Sequence, residues 1–171
     1  MCIRDRGEVV LHGTNPRWTR FVPSSRIEGQ YPVRSCIWAS KEMAVTQRQV
    51  DSADITAVVA HVGRRRLVLV SVYIPDLSSS RRTKEENGVA LVSRLEAIQA
   101  LVQEELLRDP HTEVVVAGDF NRHNPLWGGS HIDSTARQEE SEPIIDFMAE
   151  LSLQSLLPLS LIHISEPTRP Y

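Results

Sequence analysis

Val114-Val115-Val116-Ala117 runs without a polar break into Gly118, Asp119, Phe120 and Asn121. A continuous apolar run this short reads as a strand buried on both faces, because a half-exposed strand would alternate. Gly118 ends the run and lets the backbone turn. Asp119 and Asn121 then stand at the carboxyl end of a core strand, where open α/β sheets place their ligands. Two readings of the acid and the amide stand side by side. If the strand continues through Phe120, Asp119 and Asn121 share a face and Phe120 points into the core. They could then orient a water and an anionic oxygen together. Otherwise the pair is an Asx-type turn that closes the strand.

The two ends of the chain look foreign to such a fold. A DNA that encodes Met1-Cys2-Ile3-Arg4-Asp5-Arg6 reads, on its opposite strand, as Leu-Ser-Leu-Ile-His followed by Ile or Met. Residues 159–164 are Leu159-Ser160-Leu161-Ile162-His163-Ile164. One DNA sequence thus accounts for both termini, and it resembles the transposase adapter of sequencing libraries. Residues 1–6 and 159–171 are accordingly set aside as adapter-like, as a tag would be. That leaves 7–158, about one domain by length. The expectation is a natural protein interrupted on both sides.

The interior carries a small excess of acidic residues, so no global basic field advertises a polyanionic partner. Its basic residues are clumped at Arg64-Arg65-Arg66, at Arg81, Arg82 and Lys84, and at Arg17, Arg20, Arg26 and Arg34. The plain reading of such clumps is solvated loops. Cys36 is the sole interior cysteine, which excludes an internal disulfide and suits a reducing compartment. No membrane-spanning run, signal peptide or internal repeat is evident.

Glu8 to Leu11 reads as the end of a strand, and His12 to Ile27 as irregular chain with arginines around Trp18 and Phe21. Strands are expected over Val33 to Ser40, Ile55 to Val62 and Leu67 to Ile74. The Gly63-centred connection makes the last two an antiparallel hairpin. Pro75 leaves Tyr73 near a strand tip. Residues 78–82 form a loop. From Thr83 to Arg108, Leu91, Leu95, Ile98, Val102 and Leu106 make one apolar helical stripe. Glu85, Glu86, Glu96, Glu104 and Glu105 make up, for the most part, its solvated face, and Asp109-Pro110 stops the helix. A long loop from Arg122 to His131 precedes a second helix over roughly Arg137 to Leu151. Pro143 fits only a first turn, which moves that helix start toward Glu140. Helices interleaved with hairpin and crossover strands argue for a layered α/β sandwich.

The stretch from Val115 to Gly129, with Gly118-Asp119-Phe120-Asn121, His123, Pro125, Leu126, Trp127, Gly128 and Gly129, resembles the central motif of the endonuclease/exonuclease/phosphatase superfamily. More narrowly, it is similar to the apurinic-endonuclease-like domain of fungal-type non-LTR retrotransposons. The likeness spans nearly all of 7–158 and includes Asn15-Pro16-Arg17-Trp18, Pro32-Val33-Arg34-Ser35, Val70-Ser71-Val72-Tyr73-Ile74 and Ile144-Ile145-Asp146-Phe147-Met148. The resemblance implies a four-layer α/β sandwich, incomplete at both ends, and Mg²⁺- or Mn²⁺-dependent nicking of DNA that primes reverse transcription by a separate domain. It implies that Asp119 orients or deprotonates the attacking water. It gives Asn121 a phosphate oxygen or a metal-bound group and sets Tyr73 against the scissile phosphate. Asp119 and Asn121 are the metal candidates. His123 and Trp127 belong to loop shape or DNA contact. His12, His61, His111 and His131 have no zinc-type spacing. No membrane and no small-molecule cofactor is implied, and the setting is intracellular, and nuclear if the domain acts as a retrotransposon endonuclease.

The superfamily's metal-binding glutamate and amino-terminal asparagine would precede residue 7, and its carboxyl-terminal aspartate–histidine pair would follow residue 158. Glu8 and Glu28 have the wrong surroundings to replace them. Loss of these groups removes most of the electrostatic stabilisation of the reaction, so the fragment is expected to be inactive. Open strand edges would favour aggregation. A superfamily phosphatase and a non-catalytic nucleic-acid-binding remnant are the competing readings.

Overall fold

The computed structural model of the chain describes residues 3–4, 8–9, 16–25, 32–76, 83–128 and 135–156. The chain divides into two compact units, Met1–Asn121 and Arg122–Tyr171. The first holds β1 (Ile3–Arg4), β2 (Glu8–Val9), β3 (Trp18–Phe21), β4 (Ile37–Ser40), β5 (Ala44–Arg48), β6 (Ile55–Val62), β7 (Arg65–Tyr73), α1 (Lys84–Arg108) and β8 (Glu113–Asp119). The second holds α2 (Pro125–Gly128) and α3 (Thr135–Glu150). The fold is of the α/β class, with mixed sheet and helices. Of the adapter-like ends, only Ile3–Arg4 lies within the described residues, paired antiparallel with Glu8–Val9. Residues 159–171 and the loop at 78–82 lie outside them.

The main sheet has the order β5-β6-β7-β8, antiparallel except for the parallel β7–β8 pair. The expected hairpin is present, with Val62 paired to Arg65 across a two-residue turn. Gly63 adopts φ +62° there, the left-handed conformation a primed hairpin turn requires. β6 is the strand buried on both faces, from Ile55 to Ala60. β8 is not. It is the edge strand among the described residues, with Val114 to Val116 half-buried and Ala117 and Gly118 exposed. A continuous apolar run therefore did not mean burial on both faces, because sheet position decides that. Nor does Gly118 end the strand, which continues to Asp119.

Val68, Val70 and Val72 alternate onto one buried face of β7. Arg66, on the same face, hydrogen-bonds Glu105 of α1, which sets α1 across that side. Leu91, Leu95, Ile98 and Val102 are buried as the helical stripe requires; each such side chain contributes about 1.5–3 kcal/mol by leaving water. Thr83 and Glu86 form a reciprocal capping box at the start of α1. Glu105 contradicts the expected solvated face. It is fully buried and held by Arg48 (Nε–Oε1 2.8 Å) and Arg66, with Arg108 at 3.6 Å. Burial works to raise its pKa, and the hydrogen bonds from Arg66 and Arg48 outweigh it and leave the carboxyl below the usual range. Helical spacing alone could not show that arginines from β5 and β7 converge there.

The opposite face of the sheet is covered by the chain before β4. Ser35 Oγ and Thr56 Oγ1 lie 2.9 Å apart, and both residues are buried. The region expected to be irregular contains β3, which pairs antiparallel with β4. The first expected strand is shorter than 33–40, and β5 was not anticipated. In the second unit, α3 begins at Thr135 and runs through Pro143. Pro143 removes one intrahelical donor without ending the helix. α3 closes with Ser152 at φ +53° and Leu153 N donating to Met148 O at 2.8 Å, a left-handed helix cap.

Candidate active site

β7 and β8 end together. Tyr73 is the register partner of Asp119 across the parallel pair, so the two side chains leave the sheet from adjacent positions on one face. Both are half-buried. The backbones are tied just beyond, where Ile74 N donates to Asp119 O at 2.8 Å. The close approach depends on Gly118. Its φ is +157°, and a Cβ there would lie 1.8 Å from the Val72 carbonyl oxygen.

The strand does not continue through Phe120. Asn121 takes φ +47°, and its backbone N–H donates to Asp119 Oδ1 at 3.1 Å. This is the Asx-type turn, so the alternation expected to align Asp119 and Asn121 is absent. The turn nevertheless keeps the two residues together. Asn121 Nδ2 donates to Ile74 O at 2.8 Å, which folds the amide back onto the end of β7. Tyr73 and Asp119 are thus gathered by the parallel register, and Asn121 joins them through hydrogen bonds between side chain and backbone rather than by strand pleat.

Tyr73 carries a raised pKa. Burial is the main cause, Arg34 opposes it, and Asp119, Asp54 and Asp76 add to it. The phenol is therefore protonated at neutral pH and can donate a hydrogen bond to an anionic oxygen. Asp119 and Asn121 offer a carboxylate and an amide, oxygen donors of the kind Mg²⁺ accepts in small number alongside water. Among the described residues no group of three His, Cys, Asp or Glu gathers around a common point. The donor set thus fits part of a hard-cation site and supplies one carboxylate to it.

The Arg122–Trp127 loop has its own framework. Asn124 is buried, accepts from Leu126 N at 2.9 Å and donates to Ser141 Oγ at 2.8 Å. Trp127 Nε1 donates to Arg122 O at 2.9 Å. This indole N–H fixes the loop's path. His123 is exposed. Sequence reasoning missed Asp54 and gave Arg34 to a solvated clump. Asp54 is buried, receives Arg34 Nη2 at 2.5 Å and Arg94 Nη2 at 2.6 Å, and accepts from Tyr73 N through its carbonyl at 3.0 Å. Nothing in the spacing of these residues announces the contact.

A structure similar to this one is the endonuclease domain of TRAS1, a telomere-specific non-LTR retrotransposon, with a TM-score of 0.57 and 20% sequence identity. The match covers 82% of this chain and 56% of that one, so the chain spans little more than half of that domain's length. At this identity the likeness is one of fold. No curated protein sequence matches. Among the described residues, no helix is long and apolar enough to cross a membrane. The sequence pattern of the endonuclease-reverse transcriptase family matches residues 67–168, a span that takes in most of β7, α1, β8, the Asp119–Asn121 turn and both helices of the second unit. With more than half of its length matched in this way, and with the fold of a retrotransposon endonuclease domain, the chain belongs to the endonuclease-reverse transcriptase family.

Proposed function

We propose that this chain is part of a DNA endonuclease domain that nicks phosphodiester bonds by metal-assisted hydrolysis, and that the nick primes a reverse-transcriptase domain elsewhere in the same polypeptide. The observation that carries the reading is the pairing of Tyr73 with Asp119 at neighbouring strand ends, with Asn121 held beside them. Phosphodiester hydrolysis needs a positioned water, in-line geometry and neutralised charge. In this reading Asp119 orients the water and accepts its proton. Tyr73, protonated, donates to a non-bridging phosphate oxygen. Asn121, anchored on Ile74, steadies the same group. Asp119 and Asn121 would hold Mg²⁺ or Mn²⁺, which supplies charge neutralisation when bound. His123 and Trp127 shape or extend the DNA-facing loop. The setting is nuclear and the substrate is DNA.

One carboxylate is a weak cradle for a divalent ion, so the 171-residue chain alone binds the metal poorly and does not nick. We assign 7–158 to the endonuclease domain and 1–6 and 159–171 to adapter-derived sequence, which the reading frame of the source DNA would test. Supercoiled plasmid incubated with the chain and Mg²⁺ should stay supercoiled. Nicking that disappears in Asp119→Ala would overturn the proposed inactivity while supporting the site.

A further inference from the structure

Arg34 stands where the endonuclease reading leaves a gap. Its guanidinium carbon lies 5.0 Å from the centroid of the Tyr73 ring, a cation–π distance. Its Nη2 is bound to Asp54 Oδ1 at 2.5 Å. Asp54 is shared with Arg94, whose Nη2 sits 2.6 Å from Oδ2. One buried carboxylate thus faces two guanidinium groups, and the trio keeps a surplus positive charge. The two arginines differ in access. The Arg34 side chain is 27% exposed and that of Arg94 is 15% exposed. Nε of both arginines is buried and has no hydrogen-bond partner among the described residues, so the exposed part of Arg34 that a ligand can reach is its Nη end. A guanidinium carries five N–H donors in a planar fork, and Asp54 engages only one edge of it.

The electrostatics around Tyr73 give that surplus a purpose. Asp54, Asp76 and Asp119 all act on the phenol as negative charges, and Arg34 is the cation that opposes them. A phosphate diester brought to Tyr73 would meet carboxylates first unless a fixed cation offset them. Asp54 holds Arg34 in place, so little side-chain entropy remains to be lost when an anion arrives.

We propose that Arg34 is a phosphate-positioning residue: Asp54 and the Tyr73 ring hold its guanidinium beside the strand ends so that the Nη N–H groups not turned to Asp54 bind a backbone phosphate of DNA. This rests on the endonuclease reading and adds to it a residue and a role. Arg94 is the internal comparison, because it shares Asp54 but does not lie over Tyr73.

The test is binding of a fluorescein-labelled DNA duplex to the 171-residue chain, followed by anisotropy from about 50 to about 200 mM salt. Arg34→Gln should weaken binding on the order of tenfold. It should also reduce the slope of log K against log salt by about 0.9, the loss of one phosphate contact. Arg34→Lys should keep the slope. Arg94→Gln should lower thermal stability and leave the slope unchanged, which a merely structural role for Arg34 would also predict for Arg34→Gln. An unchanged slope in folded Arg34→Gln overturns the proposal and leaves the endonuclease reading standing. Absence of salt-dependent binding by the unmodified chain overturns both. A second measurement needs no variant. Phenylglyoxal labelling mapped by peptide mass spectrometry should mark Arg34 in the free protein and spare it when duplex DNA is bound. Arg64, exposed at the far end of the β6–β7 hairpin, should stay labelled. Equal labelling of Arg34 with and without DNA overturns the proposal.

Discussion

Replacing Gly118 by alanine is expected to be among the most damaging single-methyl changes in the first unit. The added Cβ would lie 1.8 Å from Val72 O, 2.8 Å from Val72 C and 2.9 Å from Val72 N. These are backbone atoms of the paired strand, so no side-chain rotation relieves the overlap. An ordinary carbon–oxygen contact is about 3.3 Å, so β8 must draw back from β7 by roughly 1.5 Å. The bond from Ile74 N to Asp119 O, now 2.8 Å, would then lie beyond hydrogen-bonding range. Losing it and a neighbouring ladder bond costs about 1 kcal/mol each. Holding alanine at φ +157° adds about 1–3 kcal/mol. The expected loss is therefore about 3–5 kcal/mol, read as a fall in the urea midpoint at constant slope. Gly63→Ala is the matched control. Its φ is +62° but nothing lies within 4 Å of the new Cβ, so it pays only the left-handed penalty of about 1–2 kcal/mol. A Gly118→Ala protein within about 0.5 kcal/mol of the parent would refute the close-approach argument, and with it the geometry given for Tyr73 and Asp119.

Glu105→Ala strands Arg48 and Arg66 without their carboxylate and should cost about 3–5 kcal/mol in urea unfolding. The same carboxylate makes stability acid-sensitive. Its folded pKa is depressed, so its contribution is complete above the unfolded value of about 4.3 and is lost as pH falls through the lower folded value. Urea midpoints should therefore drop on acidification, and less steeply in Glu105→Gln than in the parent. Asn121→Ala removes the bond to Ile74 O and places alanine at φ +47°; a loss of about 2 kcal/mol is expected, and Asn121→Gly should lose about half as much. Ser152→Gly relieves a non-glycine residue at φ +53° and should raise stability by about 0.5–1 kcal/mol, provided the second unit melts in the transition observed.

Much of the fold was legible because its signals are local. The Gly63 hairpin, the helical pattern from Thr83, the Leu91–Val102 stripe and the stop at Asp109 each follow from neighbouring residues. Edge position is not local, so a valine-rich run reads as a doubly buried strand although β6 holds that place. The same reason hid Glu105, whose arginine partners come from β5 and β7, and Asp54, whose partners come from the chain before β4 and from α1. β3 was missed because Trp18–Phe21 is largely exposed and carries no alternation that burial would impose. The sequence sets Asp119 and Asn121 together and Tyr73 near a strand tip, and the structure brings the three to neighbouring strand ends. The means of bringing them together differed, because an Asx turn and a parallel register replaced the expected strand pleat.

The central claim is that these three residues form part of a phosphodiester-cleaving centre. It is tested most directly in a polypeptide that carries this chain together with the rest of an endonuclease domain, by single-turnover nicking of supercoiled plasmid in Mg²⁺. Asp119→Ala should slow nicking by about 10²–10⁴-fold while DNA binding stays near that of the parent and stability falls by only about 1 kcal/mol, the loss of the bond from Asn121 N. Nicking at the parental rate in that variant would contradict the account.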